Sequence, residues 1–221
     1  MTGRLSSGGV ESGFGGAYAG ANFGAMQVRL GGTYFGSTLT IRRSATFAGF
    51  GETETSRYGG DLGQAFGEVG YRIGSARGYV EPFVGGAAIR ITRDAFAERG
   101  GAAALTAGAR DSDIATATVG AQVQAHLDTL LDTGTPLLIR GLVGYRRAYG
   151  DVNPSALFTF GAEAQPFPVA GVPIARNVLV AQDGLDWRVA PSSTLSVAYT
   201  GQLGNQRTQE HGVKGSFLYR W

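Results

Sequence analysis

The chain has no cysteine among its 221 residues, few charges and no long apolar run. Without cysteine it holds no disulfide framework, no thiol nucleophile and no cysteine-based metal centre. Charged residues are only 16% of the total, too few for a typical soluble domain, and the formal net charge is a mild +2. No basic cluster is interleaved with aromatics, so nucleic acid is not an expected partner. The longest apolar runs, such as Leu137 to Ile139 and Val178 to Ala181, fall far short of the roughly 20 residues that a spanning helix needs. Met1 is followed by Thr2, Gly3 and Arg4 with no apolar stretch behind them, so no secretory leader is expected at this start. His126 and His211 are the only histidines and no ligand spacing connects them, so neither a metal nor another cofactor is expected. No Gly-x-Ser-x-Gly elbow occurs, and no intrinsic enzymatic activity is expected.

What the chain does have is glycine, 37 residues of it, together with strict alternation. About nine alternating segments are separated by clusters of Gly, Pro, Asn and Asp. The cleanest runs from Ala115: Ala117, Val119, Ala121, Val123, Ala125 and Leu127 are apolar, while Thr116, Thr118, Gln122, Gln124 and His126 lie between them. A strand of this kind shows one face to lipid and the other to water. Around residue 140, Leu137, Ile139, Val143 and Tyr145 oppose Arg140 and Arg146, with Leu142 breaking the polar side. Ala65, Val69 and Tyr71 oppose Gln64, Glu68 and Arg72, and Leu195, Val197 and Tyr199 oppose Ser196, Thr200 and Gln202. The final residues continue the theme, with Phe217, Tyr219 and Trp221 at every second position. The expected fold is therefore all-β, an antiparallel transmembrane β-barrel. Glycine at this density fits strands that bend sharply and side chains that need room inside a barrel.

Within that barrel Gln64, Glu68, Arg72, Glu81, Gln122, Gln124, Arg140 and Arg146 are expected to face a wet lumen. Lipid-facing cations would cost about 2 to 4 kcal/mol at mid-bilayer, which makes their consistent parity informative. The charged members either form a network that grips a polypeptide in the lumen or keep a solvated interior satisfied. Glu81 is the ambiguous member, because placing it inward also places Phe83 inward. Asp183 falls on the lipid-facing parity, so either a bulge shifts it or it lies near the headgroups. Phe217, Tyr219 and Trp221 read as an assembly signal, an interfacial girdle or both.

Connections also sort by length. The stretches 38 to 58, 93 to 112 and 151 to 175 are long, whereas the breaks near Gly24, Ser75 to Gly78, Asp132 to Thr135 and Pro191 to Ser193 are short. Short periplasmic turns and longer external loops give this asymmetry. Counted back from a periplasmic carboxyl end, the first strand, near Phe14 to Phe23, descends from outside. Residues 1–10 read as a disordered segment and 11–221 as the barrel domain.

Several blocks of the chain resemble the C-terminal translocator domain of the autotransporter family. They are Gln64-Ala65-Phe66-Gly67-Glu68-Val69-Gly70-Tyr71-Arg72, Val80-Glu81-Pro82-Phe83-Val84-Gly85 and Arg99-Gly100-Gly101-Ala102-Ala103-Ala104-Leu105. Further blocks run from Gly144 to Val152, Val169 to Arg176, Gly184 to Trp187, Tyr199 to Gly204 and His211 to Gly215. The resemblance implies a twelve-stranded barrel in a Gram-negative outer membrane, with a linker helix threaded through the lumen. It implies a role in secreting and anchoring an N-terminal passenger, with outer-membrane lipid, the passenger and the barrel-assembly machinery as partners. About nine of the twelve strands are matched, and the family's earlier strands, helix and passenger would precede Phe14. A fragment, a misplaced start codon or a decayed gene would account for this, ahead of a smaller rearranged barrel. The alternative functions are a surface structural or adhesive barrel, or a general porin.

Overall fold

A computed structural model describes residues 6–47, 49–127, 136–161, 165–205 and 209–220. Its strands in chain order are β1 (Ser6–Phe23), β2 (Met26–Phe47), β3 (Phe50–Tyr71), β4 (Ile73–Ser75), β5 (Gly78–Arg93), β6 (Phe96–Ala97) and β7 (Leu105–Ala107). They continue as β8 (Arg110–His126), β9 (Leu137–Gly150), β10 (Ser155–Phe160), β11 (Phe167–Ala170), β12 (Asn177–Ala190), β13 (Ser193–Gly204) and β14 (Gln209–Tyr219).

The alternating segments pair in sequence order as one curled antiparallel sheet, β1-β2-β3-β5-β8-β9-β12-β13-β14, with β4 beside β5. Nine strands thus form the wall, and β1 and β14 are its two edges among the described residues. With nine antiparallel strands both edges run the same way. Two-residue turns join β1 to β2, β4 to β5 and β12 to β13 at one end, where Phe23 faces Met26, Ser75 faces Gly78 and Ala190 faces Ser193. Gly24 takes a left-handed backbone (φ 63°) to close the first of them. The expected break at Asp132 to Thr135 lies outside the described residues.

The opposite end differs from the sequence reading in one place. Residues 38 to 58 are not a loop: β2 and β3 stay paired from Met26 with Tyr71 up to Phe47 with Phe50. Their Thr-, Arg- and Ser-rich upper halves are extended arms, because a 22-residue strand greatly exceeds the apolar band of about 25 Å. The amino-terminal segment also differs, since β1 begins at Ser6, within the stretch read as disordered. Ser6 to Val10 pair with Arg43 to Leu39, so the long arm of β2 supplies the partners that a Gly/Ser segment needs.

The other two long connections form a second sheet, ordered β11-β10-β7-β6. Each member continues a wall strand: β6 follows β5, β7 precedes β8, β10 follows β9 and β11 precedes β12. At a tilt near 40°, the 14 residues of β9 rise about 35 Å, more than the apolar band, so this second sheet stands in water.

Asp183 sits on the outward face in unbroken register, opposite Tyr199 on β13 and Gly141 on β9. The register shift of β12 lies further on, between Arg188 and Ala190, so no bulge turns Asp183 inward.

Candidate functional site

The eight polar residues singled out by alternation fall on one parity of the wall. The cross-strand register carries this parity from strand to strand. Glu68 lies beside Gly85, Gly85 beside Thr118 and Thr118 beside Arg146. Glu81 lies beside Gln122, with Gln122 beside Leu142. Six of the eight border two cavities. One, of about 410 Å³, is lined by Gln64, Glu68 and Arg146 together with Gln202 from the far side of the curl. The other, of about 300 Å³, is lined by Gln122, Gln124 and Arg140.

Glu81 is the hub of this face and is fully buried, at 0% exposure. Arg29 Nη2 approaches its Oε1 at 2.7 Å, and Arg72 donates to Oε2 from Nε at 3.2 Å, with Nη2 at 3.1 Å. Arg29 Nη1 donates to Glu68 Oε1 at 2.6 Å, and Gln122 Nε2 donates to the same oxygen at 3.0 Å. A carboxylate taken out of water is costly unless paired, and two guanidinium groups meet that need here. The ambiguity over Phe83 resolves with both residues inward, Phe83 being 5% exposed.

Glycine makes this crowding feasible. A Cβ at Gly70 would lie 2.6 Å from Glu81 Oε1, and one at Gly120 would lie 2.9 Å from the ring of Phe83. The bare backbone at these two positions is the floor on which the large inward side chains lie.

The remaining polar candidates form smaller contacts round the curl. Tyr79 donates its hydroxyl to Gln124 Oε1 at 3.3 Å, Arg140 pairs with Asp186, and Arg146 donates to Gln202. Arg29, Tyr79 and Asp186 complete the network although sequence reasoning passed over them, and Gln202 joins it from the polar side of its strand. The signal for Arg29 was present, since Val28 and Leu30 flank it with outward parity.

One side of the concave face is not polar. On β1 and β2, Phe14 and Phe35 stack inward with centroids 5.5 Å apart, and Phe14 remains 79% exposed. From Gly13 to Ala21 the outward residues of β1 are small: Gly13, Gly15, Ala17, Ala19 and Ala21.

Above the membrane, the loop from residue 99 to 105 is tied to the inner face of the wall. Glu54, also at 0% exposure, accepts from Gly101 N–H at 3.1 and 3.2 Å, and Glu52 accepts from Ala103 N–H at 2.9 Å. Glu98 accepts from Leu105 N–H at 2.9 Å and pairs with Arg43 at 2.5 Å. The hydrogen bond to Glu98 raises the Arg43 guanidinium further above its already high ordinary value. Tyr58 stacks on Phe96 at 4.6 Å, and the aromatic contacts continue through Phe158 to Phe167.

On the outward face, Phe217 and Tyr219 project together from β14 and are well exposed, whereas Trp221 lies outside the described residues. Val69, Val84, Val119, Val143, Leu185 and Val197 share that outward exposure and give the wall its apolar band. Tyr199 and His211 join across β13 and β14 through a 2.8 Å hydrogen bond on the same side.

This architecture has relatives. In structure the chain is similar to the translocator domain of the autotransporter NalP from Neisseria meningitidis, with a TM-score of 0.69 at 17% identity, over 98% of this chain and 68% of that one. In sequence it is similar to two proteins named extracellular serine protease from Serratia marcescens, 28% and 27% identical over 206 residues. Those 206 residues are 93% of this chain and only 19% of either relative. The family profile described as Autotransporter beta-domain matches residues 1–200. A nine-stranded curled wall, polar within and apolar without, and a family match along nearly its whole length lead to one conclusion: the chain belongs to the autotransporter β-domain family and is a translocator-type barrel wall of the Gram-negative outer membrane.

Proposed function

We propose that this domain assists the secretion of an N-terminal passenger polypeptide and anchors it at the cell surface. The carrying observation is the concave network centred on Glu81, where Arg29 and Arg72 hold a buried carboxylate on the wet side of a membrane wall. Charges fixed in this way offer a lumen polypeptide a hydrated, oriented surface instead of an apolar one to which it would adhere. In this reading the eight polar residues line the route and take part in no bond making.

Insertion would be assisted by the barrel-assembly machinery, with Phe217, Tyr219 and Trp221 as the segment it reads. Two aromatics that project together from one edge strand support that role. The protease activity named for the Serratia marcescens relatives belongs to those proteins, and this chain matches 19% of them.

The test is surface display. An epitope tag is placed ahead of Ser6 in the full gene product, and intact cells are probed with antibody and added protease. A tag reached from outside supports the proposal. A tag that stays periplasmic while the barrel is inserted overturns it.

An adhesive role is the second reading, favoured by one observation. Leu157, Phe160, Val169 and Val172 are exposed on or beside the water-borne second sheet, Val172 at 86%. Binding of the isolated 151–175 segment to cell or matrix surfaces would select it.

A further inference from the structure

Where the wall meets the second sheet, Arg93 of β5 and Arg110 of β8 stand directly opposite each other. They share the parity of Glu81 and Gln122, so both point to the concave side. Like charges in a cross-strand pair oppose folding and call for a counter-charge. None is present: neither arginine forms an ion pair among the described residues, and Asp111 and Asp113 turn to Arg90 on the other face. Arg93 sits 15 residues above Gly78, about 38 Å along the barrel axis at a tilt near 40°, and so lies beyond the apolar band.

The two guanidinium groups are oriented but not used up. Arg93 Nη2 donates to Gly108 O at 2.6 Å and its carbon lies 5.5 Å from the centre of the Phe96 ring. Its Nε is buried and has no hydrogen-bond partner. Arg110 Nε donates to Ser112 Oγ at 3.4 Å, and Nη1 donates to Ser155 Oγ at 3.2 Å and to Ser155 O. A guanidinium carries five N–H donors, so a bidentate acceptor can still be held at this pair.

Both arginines line a cavity of about 310 Å³ whose other walls include Ile91, Pro154, Phe158 and Val169. Residues of β10 and β11 therefore lean inward to face β5 and β8. Apolar walls around a few converging cations describe a site for an anion borne on an apolar body. Its wall residues Ile91, Arg93, Arg110 and Ser112 all have the inward parity of Glu81 and Gln122, so its natural visitor is polypeptide at the lumen mouth.

We propose that Arg93 and Arg110 form a binding site, at the outer mouth, for a carboxylate side chain flanked by apolar residues in an extended polypeptide. The inference rests on the translocator reading for its source of polypeptide. It assigns the site to acidic, apolar-flanked segments of a chain in transit.

The experiment is calorimetric titration of the refolded chain in detergent micelles with acetyl-Phe-Glu-Leu-amide and with its glutamine counterpart. The glutamate peptide should bind at least tenfold more tightly than the glutamine peptide, with an affinity that falls as salt rises. The double variant Arg93→Gln/Arg110→Gln should lose at least tenfold for the glutamate peptide alone, while Arg93→Lys/Arg110→Lys should lose less. Equal affinity for the two peptides, or no binding, overturns the site from the unaltered chain alone, whatever the variants do. Competition by inorganic phosphate as effective as by the peptide overturns it as well, by showing a bare anion site indifferent to the apolar walls. The titration contains neither passenger nor export step, so its failure removes this site only. Failure of surface display would remove the translocator reading.

Discussion

Arg29 on β2 reaches across β3 to place Nη2 2.7 Å from Oε1 of Glu81 on β5, so one buried carboxylate ties three strands of the wall together. Arg72 closes the arrangement from the junction of β3 and β4, where its N–H also bonds to Ala25 O at 2.8 Å.

Glu81→Ala is expected to destabilise the folded barrel by about 3 to 5 kcal/mol, because two guanidinium groups lose their shared counter-charge. Urea unfolding followed by the gel shift between folded and heated forms measures it. A loss below about 1 kcal/mol would show that water replaces the carboxylate without cost.

Gly120→Ala should also destabilise, by about 1 to 3 kcal/mol. The added Cβ would meet Gly144 Cα at 2.8 Å and the Phe83 ring at 2.9 Å, and backbone cannot swing aside as a side-chain end can. Gly215→Ala, where nothing lies within 4 Å, is the matched control and should be near neutral.

Much of this was legible because alternation is a local property. The period of two between Ala115 and Leu127, or between Gln64 and Arg72, fixes which side chains share a face before any partner strand is known. The inward set therefore needed only parity. Pairing distance was not legible: nothing local to Glu81 tells that Arg29, 52 positions earlier, is its partner. Residues 38 to 58 misled because Thr, Arg and Ser read as loop, whereas above a membrane they are ordinary for a two-sided wet strand. β1 inverts the pattern, with Phe14 and Tyr18 turned to the concave side and small residues outward, so polarity alone does not orient an edge strand. The Phe83 ambiguity needed three dimensions, since the space beneath its ring belongs to Gly120 on another strand.

Charge reversal of parity gives a third prediction. Val119→Arg, on the exposed outward face of β8, should cost about 2 to 4 kcal/mol, while Thr118→Arg, on the wet face, should be tolerated. Folded fraction after reconstitution into lipid vesicles reports both. Similar losses at the two positions would contradict the assigned faces.

The closing strand supplies a fourth. Replacing Phe217, Tyr219 and Trp221 together by alanine should lower the amount of inserted barrel several-fold, read as the heat-modifiable band in outer-membrane fractions. Unchanged insertion would remove their assembly role and leave them as interfacial side chains.

The most direct test of the wall itself exploits the absence of cysteine. Single cysteines placed in turn from Ala115 to Ala125 along β8, in the protein inserted in outer membranes, are treated with a water-soluble maleimide and with a lipid-phase thiol probe. The structure predicts a period of two: even positions from Thr116 to Gln124, leaving out the crowded Gly120, react from water, and odd positions such as Val119 and Val123 react from lipid. Uniform reaction with the aqueous reagent along the strand, or a period other than two, would contradict a barrel wall between lipid and a wet lumen.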